Sequence, residues 1–415
     1  MERTNLPETA ALKALKLHKP DQLRMKIGEN KYDVCIVSRY NPWSGSGLEN
    51  IVKSQIIAFY LQGIKIALLF RSKGKNEKIP VRVNYFAVVD KLSRLSGALA
   101  DILYAIPMYL KLRKIRAKVI LDNFEFSFLY KLLKGRSLLI KVHHGTPNYL
   151  DTYSGCKKIL AKAYAIFLKP LYSLLSRTVD LNIAVSNKVK NELVKYYHAP
   201  RERIIVIPNG VDLKRFKPRN KFTARAMFNL PRDAKIILFV GGDLDRKGFT
   251  TALKVVTSIK KEIEKVVFMI ITSKKNLYKI DRMLTKDTKK WIRIFTDVPD
   301  FDMPYLYNSA DILLLPSKYE GLSLTFLEAL ASGCPAIVSP NSADLEFNEK
   351  GYLIAYDLDD YIQFCKKLLE DQKYWTQMSL KARELVTSRY TQSKMYGAYR
   401  EVIEKLVKCI KDEKV

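Results

Sequence analysis

Two glutamates eight residues apart, Glu320 and Glu328, bracket a glycine and an apolar run with helical spacing. A carboxylate accepts several hydrogen bonds, so the pair suits a ligand rich in hydroxyl groups. Gly321 lets a ligand come close to the backbone. The N–H groups of Leu322, Ser323 and Leu324, at the start of the expected helix, suit phosphate or sugar oxygens. Leu324 and Glu328 lie one turn apart on one face, with Leu327, Leu330 and Ala331 turned inward. On spacing alone, a loop glutamate followed by a solvated helical glutamate accounts for the pattern equally well.

A second group lies in Val240–Gly248, V-G-G-D-L-D-R-K-G. Adjacent cations at a turn, Arg246 and Lys247, can neutralise a diphosphate leaving group, the arginine binding its oxygens in bidentate fashion. A basic surface loop is the plain alternative. Asp243 and Asp245 spell D-x-D, a metal pattern elsewhere, but the same spacing recurs at Asp300/Asp302 and Asp357/Asp359. So short a pattern assigns no metal ligand, and none is expected. Ser44–Glu49, S-G-S-G-L-E, offers glycines such as Gly47 that can cradle phosphate, or simply a tight turn. His143 and His144 close an apolar run together. Neighbours on a strand point to opposite faces, so at most one of them faces a site.

These residues need a scaffold that presents strand ends. Tyr32–Ser38, Lys65–Phe70, Lys118–Leu121, Ser137–Val142, Leu181–Val185 and Arg203–Ile207 read as buried parallel strands separated by helical spacing. A second cycle opens at Lys235, with further strands at Val266–Ile271, Ile292–Phe295, Ile312–Leu315 and Ala336–Ser339. The expected class is therefore α/β, with two doubly wound Rossmann-like domains. The expected boundaries are an extension at 1–30 with a basic helical stretch Ala10–Lys19, a first domain at 31–212, a basic linker at 213–233, a second domain at 234–385 and a terminal segment at 386–415, helical over Met395–Lys411. In open parallel sheets ligands bind beyond the strand carboxyl ends, which is where Glu320, Arg246 and the histidines fall.

The 415 residues favour two cores over one. Lys plus Arg total 72 against 42 acidic residues, a net charge of +30 that favours an anionic partner: nucleic acid, an acidic membrane face or a phosphorylated substrate. The five cysteines are widely spaced without a C-x-x-C, which fits a reducing cytoplasm better than a disulfide framework. Met1–Leu17 is too polar for a signal peptide, and no apolar run approaches the roughly 20 residues that span a bilayer. Lys157–Arg177 mixes apolar and basic residues. It reads either as a core-packed helix pair broken at Pro170 or as a helix lying on an anionic membrane surface, with Lys157, Lys158, Lys162 and Lys169 toward the headgroups.

The block Pro316–Pro335, P-S-K-Y-E-G-L-S-L-T-F-L-E-A-L-A-S-G-C-P, resembles the E-x7-E signature of glycosyltransferase family 4. Ser323 stands where that family's second glycine usually falls, which bears on donor choice. The R-K-G of Arg246–Gly248 resembles the family's phosphate-binding pair, although in many members the arginine directly follows the strand-end glycine, where this chain has Gly242. Gly47 matches the second glycine of the family's G-G-x-E loop. Ile204–Phe216, containing Asn209 in P-N-G-V-D, and Tyr305–Ser317 resemble two further family segments, so the resemblance runs from about Val34 to the last helix.

The resemblance implies a GT-B fold, two Rossmann-like domains facing across a cleft with the last helix crossing back to the first. It implies a retaining, metal-independent hexosyltransferase with no cofactor. The donor would be a nucleotide sugar, UDP- or GDP-hexose, and the acceptor a glycan or a polyprenyl-phosphate-linked glycan. Glu320 would hold a sugar hydroxyl, Glu328 the ribose, Arg246 and Lys247 the departing diphosphate, and His143 or His144 the acceptor. The expected location is cytoplasmic, with a peripheral place on the cytoplasmic membrane face. A basic nucleic-acid-binding protein and an inactive nucleotide-sugar-binding relative are the alternatives. No nucleic-acid motif supports the first, and the intact E-x7-E block speaks against the second.

Overall fold

The structure is a computed structural model that describes residues 31–43, 47–72, 79, 83–89, 98–124, 130, 135, 137–153, 156–342 and 351–412. The expected extension 1–30, with Ala10–Lys19, and Ser44, Gly45 and Ser46 of the S-G-S-G turn lie outside the described residues. Backbone contacts divide the chain into two units. Unit 1 holds the described residues up to Pro147, Lys162–Pro208 and the chain from Ser393, and unit 2 holds Asn148–Ala161 and Asn209–Gln392.

In unit 1 the strands are β1 (Tyr32–Ser38), β2 (Ile66–Ser72), β3 (Asn84–Val89), β4 (Ala117–Asp122), β5 (Leu138–His143), β6 (Leu181–Ala184) and β7 (Ile204–Val206). All pair in parallel in the order β3-β2-β1-β4-β5-β6-β7. The period of two sorts their side chains. Val34, Ile36, Leu68, Phe70 and Leu121 pack against the helix Gly47–Leu61 and against Met395, Tyr399, Val402 and Leu406 of the last helix, Gln392–Asp412. Cys35, Val37, Leu69, Ile120 and Leu139 pack against the helix Ala98–Leu112 and against Leu175 and Val179. Each such fully buried Leu, Ile or Phe contributes about 1.5–3 kcal/mol.

Unit 2 repeats the plan with β8 (Lys235–Val240), β9 (Val266–Thr272), β10 (Ile292–Thr296), β11 (Ile312–Leu315), β12 (Ala336–Val338) and β13 (Tyr352–Ile354). The order is β10-β9-β8-β11-β12-β13, again parallel. Winding reverses between β1 and β4 in unit 1 and between β8 and β11 in unit 2. A reversal of this kind leaves a crevice beyond the strand ends.

Three features escape a reading of the sequence. β3 is an edge strand with exposed Asn84 and Tyr85, and β13 has three residues, so neither shows a long buried run. The 213–233 segment, read as a linker, contains the helix Lys221–Met227, capped by Asn220. It is held to the rest of unit 2 by buried Arg225, which donates to Ser309 O (3.0 Å), Arg232 O (2.6 Å) and Asp311 Oδ2 (2.8 Å). A core built around an arginine carries no apolar signature. Residues 148–161, inside the expected 31–212 span, cluster with unit 2, and the contact division falls at 208/209 and 392/393 rather than at 212/213 and 385/386.

Candidate active site

At the switch point of unit 2 the loops after β8 and β11 lock together. Lys318 N donates to Arg246 O at 2.7 Å. Gly248 has φ +73°, and a Cβ there would stand 2.0 Å from Pro316 O. Only glycine allows both the left-handed backbone and that approach. Gly242, by contrast, is exposed, with open space around it, and its carbonyl accepts from Asn276 Nδ2 at 2.8 Å.

The interlock brings the charged groups together. Lys247 Nζ lies 2.7 Å and Arg246 Nη1 3.1 Å from Glu320 Oε1. Lys247 and Glu320 are buried, and Arg246 also donates to Tyr319 O at 2.8 Å. Burial opposes ionisation of Glu320, but Lys247 and Arg246 overcome it and hold the carboxyl below its usual range. Burial lowers the Lys247 ammonium, with Glu320 opposing. For Arg246, Glu320 and Asp243 outweigh burial and raise it. The result is a preformed cluster in which Lys247 and Arg246 converge on Glu320, with the Asp243 carboxylate 3.9 Å from Arg246 Nε.

Neighbours outside the E-x7-E block complete this group. Asp243 Oδ1 accepts from Arg246 N (3.3 Å) and Oδ2 from Tyr153 OH (3.1 Å), while Asp245 pairs with Lys279 at 2.7 Å. Both carboxylates of the D-x-D are thus engaged with protein groups. Among the described residues, no three His, Cys, Asp or Glu side chains cluster as metal ligands would.

The helix after β11 runs Leu324–Ala331 with Ser323 as its N-cap residue, and Leu327, Leu330 and Ala331 are fully buried. The Ser323 hydroxyl makes no cap bond. It is buried without a hydrogen-bond partner, a costly state for a polar atom. Asn209 is buried and donates Nδ2 to Leu322 O at 3.1 Å, so its side chain holds the Gly321–Ser323 loop in place. Glu328 is half-buried and accepts from Tyr307 OH at 2.9 Å. Burial raises its pKa to about 7, with Tyr307 and Arg215 opposing and Asp300 adding to the rise.

In unit 1 the polar residues at the ends of β4 and β5 form a different kind of group. His143, buried at the end of β5, meets Tyr172 OH at Nδ1 and Asn182 Oδ1 at Nε2, the latter at 2.7 Å. Burial first, then Lys141, holds it well below the usual histidine range. Both ring nitrogens are engaged inside the unit. His144 donates Nε2–H to Asn123 Oδ1 at 2.9 Å, leaving Nδ1 without a hydrogen-bond partner among the described residues. Burial and Lys141 lower its pKa to about 3, so it is neutral with a bare Nδ1 acceptor. The pair therefore divides: His143 has no group left to offer a ligand, and His144 has one. Asp122 and Lys141, buried 3.6 Å apart, brace the same strand ends. Gly47 opens the helix Gly47–Leu61.

Two family descriptions match the chain. That of "Glycosyltransferase Family 4" covers residues 45–215 and that of "Glycosyl transferases group 1" residues 220–385. A D-inositol 3-phosphate glycosyltransferase of Catenulispora acidiphila is 28% identical over 207 residues, 46% of this chain and 48% of the relative. The match thus spans about half the length of that curated relative. The UDP-Gal:alpha-D-GlcNAc-diphosphoundecaprenol alpha-1,3-galactosyltransferase of Escherichia coli is 26% identical over 270 residues, 59% of this chain and 70% of the relative. Among solved structures, a sucrose-phosphate synthase of Thermosynechococcus elongatus superposes with a TM-score of 0.78 at 16% identity, over 91% of this chain and all of the other, and so shares its fold. From the two doubly wound parallel sheets, the interlocked strand-end loops of unit 2 and two family matches that together run almost from residue 45 to 385, it follows that this chain belongs to glycosyltransferase family 4 and has the GT-B fold.

Proposed function

We propose that the chain is a retaining glycosyltransferase that moves a hexose from a nucleoside diphosphate sugar, UDP- or GDP-linked, to a hydroxyl of a glycan or polyprenyl-phosphate-linked acceptor. One observation carries the reading: Lys247 and Arg246 converge on Glu320 at 2.7 and 3.1 Å, at the switch point of unit 2. In free protein the carboxylate holds the two cations in position. With donor bound, Lys247 and Arg246 would take the diphosphate oxygens, and Glu320 would accept from a sugar hydroxyl. Negative charge grows on the diphosphate as the glycosidic bond breaks, so cations fixed beforehand lower the barrier most at that point.

Glu328, once ionised, would accept from the ribose hydroxyls. Gly321, Leu322 and Leu324 would offer backbone N–H groups, and Ser323 would place its unpaired hydroxyl where the usual glycine leaves space. Ser323 therefore bears on which hexose is taken. His144 would accept a hydrogen bond from the acceptor. The lipid-linked acceptor draws support from the E. coli relative, an alpha-D-GlcNAc-diphosphoundecaprenol galactosyltransferase. A cytoplasmic site of action is proposed on the free, buried Cys35, Cys334 and Cys365.

The test is release of nucleoside diphosphate from a panel of UDP- and GDP-hexoses, with and without polyprenyl-linked acceptors and in the presence of a chelator. Turnover of at least one donor is expected, undiminished by the chelator. Failure of the protein to bind any nucleotide sugar would refute the reading, and turnover abolished by chelation would overturn the metal-free mechanism.

A further inference from the structure

The helix Cys156–Thr178 has two apolar faces, and the fold uses only one. Ala161, Leu168, Tyr172 and Leu175 are buried. On the opposite side Ile159, Ala163, Ile166, Pro170 and Leu174 recur every three or four residues and are exposed, Ile166 to 69%. Neighbouring Leu160 is 74% exposed. The helix bends by 43° between Ile166 and Leu168. Pro170 explains the bend, since its ring meets the carbonyl four residues back and it has no N–H to give. A second helix, Ala98–Leu112, packs into the same core as Leu175 and Val179, on the same face of the unit 1 sheet. It too turns apolar groups outward, with Ile106 62% and Leu110 53% exposed.

Charge around these crests is all of one sign. No Asp or Glu occurs from Ile102 to Leu121 or from Thr152 to Val179. Lys111, Arg113, Lys114 and Arg116 on one stretch, and Lys158, Lys162 and Arg177 on the other, are exposed beside the apolar residues. No single described helix is long and apolar enough to cross a membrane. The bent pair within Lys158–Thr178 passes that test only in combination.

We infer that the outward side of the helices Ala98–Leu112 and Cys156–Thr178 is a docking surface for an anionic lipid bilayer, with Ile106, Leu110, Ile166 and Leu174 entering the headgroup boundary and the flanking cations meeting lipid phosphates. Apolar crests flanked by cations match such an interface, where buried hydrocarbon and attraction to acidic headgroups add together. A second copy of the chain fits poorly, because two surfaces whose apolar crests are flanked by cations repel. Nucleic acid fits poorly as well, because aliphatic crests offer it neither charge nor stacking. The inference stands on the helices Ala98–Leu112 and Cys156–Thr178 and does not depend on the donor reading.

Co-sedimentation of the full chain with vesicles tests it, comparing phosphatidylcholine alone with phosphatidylcholine plus phosphatidylglycerol. Binding to the anionic vesicles that weakens with salt is expected. The combined I106Q, L110Q, I166Q and L174Q variant should bind at least about tenfold more weakly, at an unchanged melting temperature and unchanged nucleotide-sugar affinity. Lys158→Gln with Lys162→Gln gives a second reading through charge alone, for use should the first variant unfold. Equal binding by the variants and the parent, equal binding to neutral vesicles, resistance of the bound protein to alkaline carbonate, or binding to oligonucleotides but not to vesicles would each overturn it.

Discussion

Both units end their central strands in buried polar groups, and the two groups are built on opposite principles. In unit 1, Asp122 faces Lys141, and His143 is closed between Tyr172 and Asn182, so nearly every polar atom is answered from within. In unit 2, Lys247 and Arg246 converge on Glu320 with Asp243 3.9 Å from Arg246, and a serine hydroxyl is buried without a partner. A closed network holds strand ends in place, whereas one that gathers cations at a switch point beside an unpaired hydroxyl is preorganised for a ligand. Buried polarity alone therefore does not mark a site. The informative sign is hydrogen-bonding capacity that the fold leaves over, as at Ser323 and His144.

Substitutions that separate the two kinds of cluster test this contrast. Lys247→Ala should lower transfer by about a thousandfold, read as nucleoside diphosphate release, because it removes a donor to the leaving group. Asp122→Asn should instead cost stability, about 3 kcal/mol in urea unfolding, by leaving Lys141 buried without its counter-charge, and change turnover of the folded protein less than tenfold. Equal kinetic losses in the two variants would erase the distinction.

Gly248→Ala should destabilise unit 2 by about 3 kcal/mol, since both its φ of +73° and the 2.0 Å approach to Pro316 O exclude a side chain. Calorimetry checks it. The histidines should separate in the same way. His143→Ala strands Tyr172 and Asn182 and should cost about 2 kcal/mol in urea unfolding, while His144→Ala should cost under about 1 kcal/mol yet slow transfer to acceptor.

The smallest effect concerns pH. The Glu328 carboxyl, raised to about 7, is largely protonated at pH 6 and ionised at pH 8. Donor affinity should therefore rise up to about tenfold over that interval, and the rise should vanish in Glu328→Gln. Stability runs the other way. A carboxyl whose folded pKa is raised from 4.5 to about 7 takes up its proton more readily in the folded state, so its contribution declines as pH climbs through that window. Titration calorimetry and melting curves across the window measure the two slopes.

Much of the cluster around Glu320 is legible in the sequence because it lies in contiguous segments. Strand, carboxylate, glycine and helix follow one another in Ile312–Ala331, and the helix begins at Leu324, among the residues expected to open it. Tyr153, Tyr307 and Asp243 were not legible as site neighbours, because their contacts join residues 90 or 21 positions apart, or depend on a side-chain rotamer within one loop. The Arg225–Asp311 pairing was hidden for a related reason, since a buried arginine looks in sequence like a surface one.

By itself the sequence determined the two-domain α/β plan, the family and the residue types at the strand ends. Hydrophobic period, glycine placement and contiguous motifs are local properties, and local sterics express them wherever the chain goes. Only the tertiary structure decided which polar groups answer one another. It closed His143 off and left His144 an acceptor, set two cations on Glu320, and turned the second apolar face of Cys156–Thr178 outward. Those outcomes depend on distances between residues far apart in the chain, and they exist only once the sheets have brought their loops together.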